Sequence, residues 1–192
     1  MHGRRTARPG SDMMVERIWD RHELERFTKW EDPEVRFWAI DRLVRHYPDE
    51  CCDAISGFVL DDHELTPGVV ARHLGEHGDP SHHPILLRGF RLLRGLTPGL
   101  CLQALARLGY SGVADLARSA LQRGDLTEPA LGFIAGALAD LGTVDARAVV
   151  REFIDRKVEL LSEPDALHAA LRVAESSEIQ DVLARYLTAL LW

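Results

Sequence analysis

Cysteine is scarce in this chain and odd in number: Cys51, Cys52 and Cys101. Two of the three are adjacent, and neighbouring residues rarely reach disulfide geometry without strain. A bridge between those two is therefore disfavoured, Cys101 reads as a small core residue, and the usage fits a reducing, cytoplasmic setting. No run approaches the roughly 18 apolar residues that define a candidate membrane span. The segment 1–12 carries Arg4, Arg5 and Arg8 with no apolar stretch behind it, so it does not read as a secretory signal. It is expected to be a disordered basic tail, with Met13 or Met14 as an alternative start. An excess of positive charge is missing too: the net charge is −7, which argues against a general nucleic-acid binder. Aromatics are few, at 7%, whereas hydrophobic residues in total reach 46%.

What is present is periodic. Leu43, Leu74, Leu105, Leu138 and Leu171 recur every 31 to 33 residues. Ala39, Val70, Cys101, Ile134 and Leu167 form a second file four residues upstream. A period near 32 with apolar pairs at i and i+4 is the mark of two-helix units stacked side by side. The expected fold class is all-α: an α-solenoid of about five stacked two-helix repeats behind an N-terminal helix, with 13–192 as one domain.

Local signals fall in the same phase. An N-terminal helix is expected from Met13 to about Trp30, with Val15, Ile18, Trp19, His22 and Phe27 at helical spacing. Asp32-Pro33 then restarts the chain, followed by a helix over 33–47 and another from Pro48-Asp49 to about Leu60. Leu65-Thr66-Pro67-Gly68 and Leu96-Thr97-Pro98-Gly99 open the next two units, and Leu126-Thr127-Glu128-Pro129 the fourth. In each, the threonine is expected to cap and the proline to start the helix. Gly78, Gly109 and Gly142 are expected to end these helices in a left-handed cap. The second helices also match: Val113, Leu116, Ala117, Ala120 and Leu121 correspond to Ala146, Val149, Val150, Phe153 and Ile154. They correspond again to Ile179, Val182, Leu183, Tyr186 and Leu187, all expected to be buried.

The segment Asp32-Pro33-Glu34-Val35-Arg36, followed by Ala39 and Leu43, resembles the start of a HEAT repeat. The short form found in phycobilisome-lyase-related proteins is nearer still. The resemblance covers about residues 32–192 and fades in the last two units. Ankyrin repeats are the competitor, on Thr97-Pro98, Gly109 and the Val113–Leu121 helix. The HEAT resemblance implies a curved stack whose second helices line the inner face, and adaptor or scaffold roles more often than lyase or glycosylase activity.

His73-Leu74-Gly75-Glu76-His77 has the H-x-x-E-H order of inverted zinc peptidases. His82 and His83 could join such a cluster, with Glu152 or Glu159 as a further ligand. Leu74 is also the repeat leucine, however, so this segment reads first as a helix tail with His73 and His77 facing solvent. Gly75 inside it would cost about 1 kcal/mol relative to alanine. No cofactor is expected. Cys51-Cys52 reads as an inert helix start, and Trp19, Trp30, Trp38 and Phe37 as a cap on the core.

A sharper candidate is a row of arginines on the second helices. Arg88, Arg118 and Arg151 share one repeat phase, Arg185 is one position off, and Arg91 and Arg147 lie a turn away. Such a row could bind carboxylates or phosphates through paired N–H donors. Alternatively, Asp115, Glu152, Asp155 and Asp181 could neutralise it internally. The leading functional expectation is a noncatalytic scaffold that binds an acidic protein segment on its inner face. A nucleic-acid binder comes second, and a lyase-like enzyme or metalloprotein third. Finally, Leu187, Ala189, Leu190, Leu191 and Trp192 make an apolar finish that suggests docking on a partner or a longer chain.

Overall fold

A computed structural model describes residues 19–123, 125–156, 161–162, 164–174 and 178–190. Eleven α-helices occur among these residues, with 3-10 turns at Ser56–Leu60 and Pro80–His82. The only β-type pairing among them is an isolated bridge between Gly95 and Leu126. The helices are α1 (Arg21–Phe27), α2 (Pro33–His46), α3 (Cys52–Ile55), α4 (Thr66–His77), α5 (His83–Leu92), α6 (Thr97–Arg107), α7 (Val113–Leu121), α8 (Glu128–Leu141), α9 (Val144–Arg156), α10 (Pro164–Val173) and α11 (Ile179–Ala189). A 3-10 turn over Ser56–Leu60 extends α3. The even-numbered helices pack in series: α2 on α4, α4 on α6, α6 on α8 and α8 on α10.

The two apolar files account for this packing. Leu43, Leu74, Leu105 and Leu138 are fully buried, and so are Ala39, Val70, Cys101 and Ile134. The pattern slips at α10, where Leu167 and Leu171 are only partly buried. Ala166, Ala169 and Ala170 take the inward positions instead. α10 therefore presents alanines to α8, a rotation of about one residue from the expected register. The second-helix match holds in α9, whose five positions are all buried. It fails in α11, where Val182 is buried but Leu183 and Leu187 are exposed. Leu116 and Leu121 of α7 are half-buried.

Helix ends follow local chemistry, with three corrections. The Asp32 side chain caps α2 by accepting from the Glu34 N–H at 3.0 Å, and Pro33 follows it. Thr127 caps α8, accepting from the Ala130 N–H. Thr66 and Thr97 do not cap, because Leu65 and Leu96 already have helical φ/ψ and stand at the cap positions. The Thr66 hydroxyl instead meets His63 Nδ1 at 3.2 Å. Gly109 and Gly142 adopt left-handed φ of 76° and 63° as expected. Gly78 does not: its φ is −79°, and a Cβ there would stand 2.4 Å from the Leu74 carbonyl oxygen. Close approach, not handedness, requires that glycine.

α1 is shorter than expected. Asp20 accepts from the Glu23 N–H and sets the start at Arg21, leaving Trp19 and Asp20 outside the helix. The remainder of the expected helix, Met13 to Ile18, lies outside the described residues, as does the tail 1–12. Trp19, Phe27 and Trp38 meet edge to face with centroids 5.3–6.0 Å apart, and Trp30 leans on Phe27. Phe37 is not part of this cap; it stacks on His63 at 4.5 Å. Among the described residues no helix is long and apolar enough to cross a membrane.

Candidate functional site

The histidine segment is the tail of α4, but His73 does not face solvent. It is buried, at 2% exposure. The equivalent position in α6 is Ala104, also buried, so this face of the helix turns inward beyond α2. His73 Nε2 lies 3.0 Å from the Pro48 carbonyl oxygen and 3.3 Å from Cys51 Sγ. A carbonyl can only accept, so Nε2 carries the proton and His73 cannot act as a base toward the thiol through that atom. Burial lowers the His73 pKa below its ordinary value, partly opposed by the Pro48 hydrogen bond. Burial likewise pushes the Cys51 and Cys101 thiols up to about 12 and raises that of Cys52. Thiols held this way are poor nucleophiles.

His77 stacks on His73 with centroids 4.7 Å apart, and its Nδ1 meets Asp49 at 2.9 Å. The two rings lie face to face and turn their nitrogens to different partners. His82 is buried in a capping box with Asp79, and His83 Nε2 donates to the Leu108 carbonyl at 3.2 Å. Glu152 pairs with Arg156 at 2.8 Å, and Glu159 lies outside the described residues. Among those residues no three His, Cys, Asp or Glu side chains are grouped to hold a metal. Gly75 has a packing role: a Cβ there would stand 2.8 Å from Ala104 Cα. Its helix-propensity cost accompanies the close contact of α4 with α6.

The arginine row divides in two. Arg118 pairs with Asp115 one turn back, at 3.1 Å. Arg151 Nη2 donates to the Val173 carbonyl at 3.2 Å and to Glu178 at 3.3 Å. Arg185 donates to the Ile154 carbonyl at 2.9 Å and pairs with Asp155 at 3.1 Å. Arg151 and Arg185 thus serve carbonyls near the ends of α10 and α9, where unpaired acceptors and the helix dipole both attract a cation. They line a small cavity of about 200 Å³ between α9, α10 and α11. Arg88, Arg91 and Arg147 are exposed and make no ion pair among the described residues.

Two arginines outside the expected row hold more contacts. Arg36 pairs with Asp61 at 2.9 Å and with Asp62, and donates to the carbonyls of Trp30 and Glu31. Arg123 pairs with Asp125 at 3.0 Å and donates to the carbonyls of Phe90 and Leu93 at the end of α5. The acid doublet Asp61-Asp62 and the Arg-x-Asp spacing were the available sequence signals for these ties.

A concave surface larger than that cavity lies elsewhere among the described residues, over the N-terminal halves of α4 and α6 and reaching α2 and α8. It is a groove of about 560 Å³ lined by Phe37, Leu65, Val69, Leu96, Leu100 and Phe133, with Arg72 and Arg94 also on its wall. Leu65 and Leu96 are 55% and 41% exposed. The twice-repeated Leu-Thr-Pro-Gly contained this feature, but its leucines served only as boundary markers. Comparison with family models, with curated proteins and with solved structures returns no match.

Proposed function

We propose that the chain is a noncatalytic binding scaffold: a short HEAT-like α-solenoid whose second-helix face takes an acidic segment of a partner protein. One observation carries this reading. Arg88 and Arg91 on α5 and Arg147 on α9 remain exposed and without an ion pair among the described residues, whereas Arg118, Arg151 and Arg185 are engaged internally. Serial packing of the even-numbered helices and the buried leucine file support the solenoid half of the proposal. The engaged arginines narrow the partner site to three residues.

Recognition would rest on charge-assisted N–H···O bonds from guanidinium forks to carboxylates. At an exposed face these are screened by salt, so affinity should fall as ionic strength rises. A nucleic-acid role would use the same donors, and the net charge of −7 opposes it. The test is titration with a fluorescent glutamate-rich peptide and, separately, a single-stranded oligonucleotide. Replacing Arg88, Arg91 and Arg147 together by alanine should weaken peptide binding at least about tenfold, or about 1.4 kcal/mol. The far-ultraviolet circular dichroism should not change. Unaltered peptide affinity in the triple variant would refute the site. Tighter oligonucleotide binding with a steep salt slope would transfer the function to nucleic acid.

A further inference from the structure

Charge is unevenly spread along this chain. Between Asp79 and Asp115 there is no acidic residue, although the whole protein carries a net charge of −7. Arg88, Arg91, Arg94 and Arg107 fall in that stretch, so only acids outside it can serve them. Two do: Glu76 pairs with Arg107 at 3.4 Å, and Asp125 lies 3.6 Å from Arg94. Asp125 is held more closely by Arg123, at 3.0 Å. Arg123 also donates to the Phe90 and Leu93 carbonyls, so the end of α5 already has its cation. Arg88 and Arg91 are left exposed and without an ion pair among the described residues. The other described arginines that lack one, Arg26, Arg42, Arg72 and Arg147, stand on four different helices.

We infer that Arg88 and Arg91 together clamp one phosphate monoester, a phosphoserine or phosphothreonine within the partner's acidic segment. This rests on the acidic-segment reading and names the group that the segment carries. Residues three apart on a helix are neighbours, with Cβ atoms about 5–6 Å apart. Two like charges at that spacing repel each other, and α5 contains no acid to offset them. A carboxylate brings one negative charge and neutralises one of the pair. A phosphate monoester brings about −1.5 to −2 and three acceptor oxygens, enough to take donors from both guanidiniums at once. The phosphates of a nucleic-acid backbone are diesters with a single charge each, so the pair favours a monoester over them. Leu92 borders the pair on α5 and is 61% exposed, which offers an apolar contact to the chain that carries the phosphate. Arg147 stands apart on α9 and is left to the carboxylates of the segment.

The test is a titration with two fluorescent glutamate-rich peptides that differ only at one central position, glutamate or phosphoserine. The phosphoserine peptide should bind wild type at least about tenfold more tightly, or about 1.4 kcal/mol. Arg88→Ala and Arg91→Ala should each abolish most of that preference. Arg147→Ala should weaken both peptides and leave the preference intact. Replacing Arg88 and Arg91 together by lysine keeps the charge and removes the forks, so the preference should shrink while the salt dependence persists. All three positions are exposed, so the fold should persist, and circular dichroism checks that it does. Equal affinity of wild type for the two peptides overturns the inference and leaves the acidic-segment reading standing. A preference that survives both single alanine variants overturns it as well. If neither peptide binds, the acidic-segment reading fails and the inference with it. A single-stranded oligonucleotide that binds more tightly than the phosphopeptide overturns it in favour of nucleic acid.

Discussion

Protonating His73 would add a charge to a buried ring already stacked on His77 and hydrogen-bonded to Pro48. Burial is the larger influence and lowers its pKa in the folded state. The unfolded chain therefore binds a proton first, near pH 6.5. Stability from this residue is intact above about pH 6.5 and is lost as pH falls toward the lower, folded value. His73→Gln keeps an N–H donor for Pro48 and removes the titration. Unfolding free energies from urea titrations between about pH 7.5 and about 5.5 should fall more for wild type than for the variant, by at most about 1.4 kcal/mol per pH unit. Equal slopes would mean that His73 does not couple to folding. One period before His73 stands Arg42, which is only partly buried, and that register points His73 toward solvent. Ala104, one period further on, is the better guide, because it is buried as His73 is.

Between elements, glycine and alanine set how closely the even-numbered helices approach. A Cβ on Gly99 of α6 would lie 2.5 Å from the Ala130 carbonyl oxygen and 2.9 Å from its Cα on α8. Backbone cannot rotate away as a side chain can, so Gly99→Ala should force the two helices apart. The expected loss is about 1–3 kcal/mol, reduced by up to about 1 kcal/mol of helix propensity. Gly57→Ala, where a Cβ would meet nothing within 4 Å, should change stability little. Chemical denaturation of the pair checks both. Pro98-Gly99 was legible as a helix start, since proline's missing N–H suits that position. The second use of the glycine was not, because it depends on which residue of α8 faces it. The caps at Thr66 and Thr97 failed for a similar reason, unlike that at Thr127: the turn begins one residue earlier, at Leu65 and Leu96, and the Thr66 hydroxyl finds His63.

For the molecule as a whole, the leucine file was the legible part, because burial imposes a period that sequence displays directly. Its interruption at α10 was hidden, since Ala166 and Ala170 form an apolar pair at the same i, i+4 spacing as Leu167 and Leu171, and packing chooses between the adjacent registers. The difference is measurable. Leu105→Ala removes a fully buried side chain from α6 and should cost about 2–5 kcal/mol. Leu171→Ala, from a half-buried position, should cost clearly less. Equal losses would place Leu171 in the core after all. The candidate site was less legible than the fold. An arginine's phase predicts which face it occupies, whereas its engagement depends on carbonyls and acids 22 to 33 residues away, as for Arg151 and Arg123.

The three thiols provide a built-in clock for chain opening. Cys101 sits in the apolar file of α6, while Cys51 and Cys52 stand at the start of α3, beside the bend from α2. All are shielded and held in the sluggish protonated form, so a thiol-specific dye should modify them only as their surroundings come apart. Mass spectrometry of partly labelled chains would then tell whether the bend loosens ahead of the centre, with no foreign reporter attached.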